Sequence, residues 1–417
     1  MVKLIAILLF TLLAVPAAAK DGNTYRRGSV VKSYRTCMKE SNFTQARQVL
    51  VDAIKKHPEA AADAQLYRYQ MDAINELIGQ ENRKIYLNNK PDTVSYFNYI
   101  YQLYSVGLQC DSIEQVSLQA ARDAGKKAKA KLRSEVGQML LPYRNNVLGA
   151  GKFHYAKKDY SNAFRYFDLY MQTKSAAVFI DSKDNSILSD PDDNASVAVL
   201  AVLSAYASDN HRGVATYLDQ SLADQNLRSQ LLEVGSKSMA ALGDTARMLQ
   251  LLDDGFDNYP EKDYFLMALT KHYNDHGDYA QALRRAVRMT EVYPLKRDYW
   301  YLAGKECLLL SRWNEALAAF GKCVEIQADD AEAHSAIGSI YLQQAHDAYA
   351  NFNVPLSDPT YTKQKAAINT LYKQSCAAYE KARKFAEDRT DLWLDGLRET
   401  YFKLNRGREL RALERKK

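Results

Sequence analysis

One spacing constrains this chain more than anything else in it: Tyr279 and Trp313, Ala282 and Ala316, and Ala286 and Phe320 each lie 34 residues apart. A fixed period means that one unit is copied, and each copy has to bury its apolar face against its neighbours. Steps of 34 place units at Asp263, Arg297 and Ala331, and backwards at Ser229 and Ala195. Each unit reads as two helices. From Asp263, Leu266, Leu269, Thr270 and Tyr273 form one helical stripe, and Tyr279, Ala282, Ala286 and Met289 form a second. Gly277 stops the first helix and Asp278 caps the second, an arrangement that Gly243 and Asp244 repeat one period earlier.

Other places in the units are filled consistently. The eighth holds Ser236, Thr270, Gly304 and Gly338, all small, so two helices can approach closely there. The twenty-fourth holds Leu252, Ala286 and Phe320. Upstream, Ala46, Leu50, Ala53 and Pro58 fit the second half of a unit beginning near Arg27, and Gly151, Tyr160, Ala163, Phe167 and Tyr170 fit a unit beginning at Arg144.

This pattern resembles the tetratricopeptide repeat, with Trp300, Gly304, Ala316 and Phe320 as its best-matched residues. The expectation is an all-α chain, an α-α superhelix of antiparallel helix pairs. It is divided into residues 1–19 as a signal peptide, 20–143 as a helical region with one recognisable and further degenerate units, and 144–417 as the superhelix. Whether Ala61 to Tyr143 completes the superhelix or forms a separate helical cap is left open by its weak match.

Two departures from the period stand out. Seventeen extra residues, Val178 to Asn194, carry five aspartates; an EF-type calcium loop would put Lys183 at its third position and lacks the required Gly, so an acidic surface loop is expected. After Ala331 the second stripe is displaced to Ser375, Tyr379 and Ala382, which predicts an extended helical hairpin over 343–374, turning at Asn351 to Thr360 where Pro355 and Pro359 forbid helix. A C-terminal capping helix over 390–417 follows. This lengthened unit, followed by the helix ending in Leu404-Asn405-Arg406-Gly407, is similar to exported repeat proteins of the Bacteroidetes type.

The first nineteen residues combine Lys3, an apolar run from Leu4 to Val15 and small residues at Ala17 and Ala19, as a cleaved secretory leader does. The expected location is therefore periplasmic or secreted, with no transmembrane anchor after cleavage. The chain has 56 basic and 50 acidic residues. That surplus is spread along the chain, which argues against nucleic acid as a partner. Five cysteines in no metal-ligand spacing exclude a disulfide framework, and Cys307 and Cys323 are expected as buried thiols. His272 and His276 sit at i, i+4 without a third ligand and are expected to face solvent.

No catalytic motif is present in the sequence, and neither a cofactor nor a metal is expected. The function expected is a non-enzymatic scaffold or adaptor for a protein or peptide. By the resemblance, the first helix of every unit lines a concave face, with inward places at the second, fifth, sixth, ninth, twelfth and thirteenth positions. The ninth holds Lys237, Lys271 and Lys305, with Lys152 in the unit from Arg144; the fifth and sixth hold Met267, Tyr301 and Leu302, with Leu308 and Leu309 at the twelfth and thirteenth. A lysine stripe beside exposed Tyr and Leu suits an acidic, partly apolar peptide. The carboxylate clamp of chaperone-binding family members is absent, since its places read Met267, Lys271, Leu302, Glu332 and Ala336. The alternative is an envelope-polymer or glycan-binding protein that stacks sugars on some of its 29 tyrosines, a reading motivated by Tyr96, Tyr99, Tyr101 and Tyr104.

Overall fold

The structure, a computed structural model, describes residues 25–174, 176–180 and 193–414. The apolar leader and most of the aspartate-rich insertion lie outside the described residues. Every regular element among them is helical, and the chain forms an α-α solenoid of antiparallel pairs. It divides into two compact units, one up to Arg228 and one from Ser229. The division expected at 143/144 falls inside the first.

The first unit contains α1 (Arg27–Lys39), α2 (Phe43–Lys56), α3 (Pro58–Ala61), α4 (Ala64–Tyr86), α5 (Thr93–Asp123), α6 (Leu132–Leu140), α7 (Arg144–Ala156), α8 (Tyr160–Thr173), α9 (Ala177–Ile180), α10 (Asp193–Ala207) and α11 (His211–Ser221). The weakly patterned stretch packs without a break: α4 lies on α2 and α5, and α5 on α6 and α7. Its capping is non-local. The buried Glu114 carboxylate of α5 accepts the backbone N–H groups of Lys131, Leu132 and Arg133 at 2.8, 2.9 and 3.1 Å, filling the orphan donors at the start of α6. Only the two ends of the insertion, expected as an acidic surface loop, lie among the described residues. Residues Ala177–Ile180 are helical, with Val178 and Phe179 buried, because their apolar side chains find a pocket beside Gly137 and Tyr104.

The second unit contains α12 (Arg228–Leu242), α13 (Thr245–Asn258), α14 (Asp263–Asp275), α15 (Tyr279–Val292), α16 (Arg297–Leu309), α17 (Trp313–Ile326), α18 (Ala331–Ala350), α19 (Tyr361–Phe385), a 3₁₀ turn (Thr390–Leu392), α20 (Leu394–Lys403) and α21 (Gly407–Glu414). Gly243 and Gly277 end their helices in the left-handed region, at φ +75° and +73°, and Asp244 and Asp278 then accept the N–H of Arg247 and Gln281. The next unit keeps the turn without glycine, with Ser311 at φ 56°.

Close approach at the eighth place is real: a Cβ built on Gly304 would lie 2.8 Å from the Phe320 ring, and one on Gly338 2.9 Å from Tyr379. Neighbouring units are also clasped electrostatically. Lys296 and the Tyr299 hydroxyl reach Asp263 at 2.9 and 2.6 Å, and Arg297 grips Asp330 through two nitrogens at 2.5 and 2.7 Å.

Helices α18 and α19 extend beyond the repeat as a hairpin linked by 351–360, with Ala345, Ile368 and Tyr372 as its own small core. The C-terminal segment differs from the expected single capping helix. Asn405 adopts φ 55°, the chain turns, and α21 folds back so that Leu413 joins Trp393, Leu397 and Tyr401 in one cluster. Burying Leu413 requires that turn; a straight helix would leave it in water.

Candidate interaction surface

The first helices of the second unit form a continuous layer. The Ser236 and Tyr264 hydroxyls meet at 3.0 Å between α12 and α14, and Asn274 Nδ2 donates to Glu306 Oε1 at 3.0 Å between α14 and α16. On this layer Met267 is 55% exposed and Leu309 50%, next to the exposed Lys271 and Lys305.

The lysine stripe is not the free positive edge that the spacing suggests. Lys237 Nζ lies 2.6 Å from Glu233 and 4.9 Å from the centre of the Tyr264 ring, and Lys271 Nζ lies 2.6 Å from Asp275. Each partner stands one helical turn away on the same helix, the geometry that favours such pairs. The hydrogen bond from Lys271 holds the Asp275 carboxyl below its usual range. Lys152 is exposed but belongs to the first unit. Tyr301 and Leu302, expected as exposed, are half-buried and pack on the α16–α17 core, the Tyr301 ring 5.4 Å from Phe320 with the Arg297 guanidinium 4.3 Å away on it. The exposed large apolar side chains of α14 and α16 on this face are Met267 and Leu309.

Three of the four tyrosines of α5 are engaged within the protein. Tyr104 is sealed and its hydroxyl donates to the Leu140 carbonyl at 2.8 Å, Tyr101 meets Tyr166 edge-on under the Arg165 guanidinium at 3.5 Å, and the Tyr96 hydroxyl accepts from Asn146 at 3.1 Å. The His272 and His276 rings lie 4.3 Å apart, tilted at 36°, and burial together with His276 pushes the His272 imidazole below its usual value. Among the described residues no group of three or more His, Cys, Asp or Glu is arranged to hold a metal. The five thiols are free, and burial raises those of Cys307 and Cys376 to about 11. A shallow groove of about 430 Å³ at Arg68, Asn75, Glu135 and Tyr143, and one of about 280 Å³ at Arg297, Asp330, Glu332 and Arg389, are lined by ion pairs, and neither brings a nucleophile to a base.

Beneath the layer lies a polar cluster that residue-by-residue reading misses. Glu306 is 2% exposed, its Oε2 has no partner, and Asn274 Oδ1 on α14, like Thr270 Oγ1 one turn before it, is also buried without one. The Asn274 amide already donates to Glu306 Oε1, and a proton on Oε2 would add a donor to a cluster whose Asn274 carbonyl has none. Burial raises the Glu306 carboxyl above its ordinary 4.5, opposed by the Asn274 hydrogen bond and the Lys305 ammonium. With the folded value raised, the stabilisation is complete below 4.5 and is lost as pH rises through the folded value. Glu306→Gln should therefore flatten the melting temperature between pH 4.5 and 7.5 and stabilise the chain at the higher pH by about 1 kcal/mol. Parallel pH profiles for the two chains would exclude this role.

No family model and no curated protein matches the chain. Solved structures similar to it include the C-terminal part of a TPR repeat-containing protein from Cytophaga hutchinsonii, 12% identical over 63% of this chain and 91% of that one, with a TM-score of 0.41. A TPR repeats protein from Bacteroides fragilis matches at 12% identity over 62% of this chain and 97% of that one, with a TM-score of 0.31. A tetratricopeptide repeat protein from Parabacteroides merdae matches at 12% over 62% and 99%, with a TM-score of 0.32. No helix among the described residues is long and apolar enough to cross a membrane.

Proposed function

We propose that this chain is a non-catalytic, tetratricopeptide-type scaffold that holds a protein or peptide against the first-helix layer of its second unit. The observation that carries the reading is the exposure of Met267 and Leu309 on adjacent first helices, flanked by Lys271 and Lys305. Stacked repeats are stabilised by neighbour contacts, so such a face is free to carry recognition. The partner is an extended segment with apolar side chains and acidic residues. Lys305 offers it an ammonium directly, whereas Lys237 and Lys271 must exchange Glu233 and Asp275 for the partner's carboxylates. The leader-like first nineteen residues support a site of action outside the cytoplasm, as in exported Bacteroidetes-type repeat proteins.

The test is crosslinking in cells followed by capture of the tagged chain, run beside Lys271→Glu, Lys305→Glu. Charge reversal at exposed helix positions should change stability by only about 0.5 kcal/mol, leaving helicity unchanged, while the specific partner is lost. Undiminished capture by the double variant removes this face from the account.

A further inference from the structure

Arg144, the first residue of α7, is 8% exposed, and its Nε and Nη1 are buried without a hydrogen-bond partner. Its guanidinium carbon lies 3.7 Å from the centre of the Tyr170 ring, and it is close enough to act electrostatically on the Tyr104 phenol. Among the described residues no carboxylate pairs with it. Other guanidiniums in the protein are treated differently: Arg133 faces Asp111, Arg285 faces Asp253 and Arg297 faces Asp330. A charge withdrawn from water without a counter-charge is strongly unfavourable, and stacking on one ring offsets only part of that. A neutral side chain of the same length would fill this place at less cost. Retaining the arginine is explained if a negative group can reach its two unpartnered nitrogens.

We propose that Arg144 anchors an oxyanion site in the first unit, taking a carboxylate or phosphate group beside the ring of Tyr170. The planar fork of donors suits either group, both of which present two oxygens at matching spacing. The site is separate from the first-helix layer of the second unit and does not depend on the reading given for it.

The test is thermal unfolding of the full chain in an anion-poor buffer, with inorganic phosphate or acetate added at constant ionic strength against chloride. The wild-type chain should gain melting temperature saturably with one of the two anions, and the anion that works identifies the source. Arg144→Met should not respond. Equal gains in both chains would report general exclusion of the salt from protein surface and overturn the proposal. So would no saturable gain in either, whether the site is closed or another group of the chain already holds the guanidinium. If Arg144→Met fails to fold, Arg144→Lys keeps the charge but loses the fork, and its half-saturating concentration should rise at least tenfold; an unchanged one overturns the proposal.

Discussion

Phe320→Ala should lower the unfolding free energy of the second unit by about 3–5 kcal/mol. The ring is fully buried, seated where a side chain on Gly304 would otherwise stand and flanked by Tyr301. Its removal deletes apolar burial and leaves a cavity that the rigid pair of α16 and α17 cannot close, since the space beside Gly304 has no side chain to fill it. Urea unfolding followed by circular dichroism measures the loss. Hydrogen exchange should place the first opening in α16 and α17, because neighbour coupling in a solenoid localises the damage. A loss below about 1 kcal/mol would mean that the site collapses and that the close approach at Gly304 is not needed.

Arg297→Ala should cost about 3–5 kcal/mol, the penalty of stranding a buried charge. Asp330 is 4% exposed and also caps α18 by accepting the Ala333 N–H at 3.0 Å. Burial alone would push its carboxyl up; Arg297 and the Ala333 amide outweigh that and hold it below its ordinary 3.8. A depressed carboxyl stabilises the fold above 3.8, and the contribution is lost as pH falls through the folded value. The wild type should therefore lose stability in acid more steeply than Arg297→Ala, Asp330→Asn. That double variant should also recover part of the loss at pH 7, because it removes the stranded charge. Matching urea midpoints for the single and double variants at pH 7 would show that the pair is not coupled.

Much of the fold was legible because a repeat writes the same packing several times. The small eighth place predicted a close helix approach, and Gly304 and Gly338 meet Phe320 and Tyr379 at that point. The Gly-Asp pairs predicted helix stops and caps, and Gly243, Gly277, Asp244 and Asp278 perform them. The prolines predicted the break in the hairpin, and α18 and α19 stop on either side of 351–360. Such signals are local in sequence, set by backbone geometry and by the contact of helices adjacent in the chain.

The candidate surface was legible in its positions and not in its state. The period alone lined up Lys237, Lys271 and Lys305, but pairing to Glu233 and Asp275 depends on side-chain rotamers, and the half-burial of Tyr301 and Leu302 depends on how a neighbouring ring fills a glycine gap. The Glu114 cap on α6, the unpaired Arg144 and the Glu306–Asn274 pair join residues that no repeat period relates. Where the 34-residue period is strong, the sequence by itself determined the helix pairs, their order and the turns between them, because these follow from periodicity and local backbone preference. Only the tertiary structure decided which charges are satisfied, which aromatics are exposed and where the last helix turns back, because the energy of a polar or apolar group depends on what surrounds it in space.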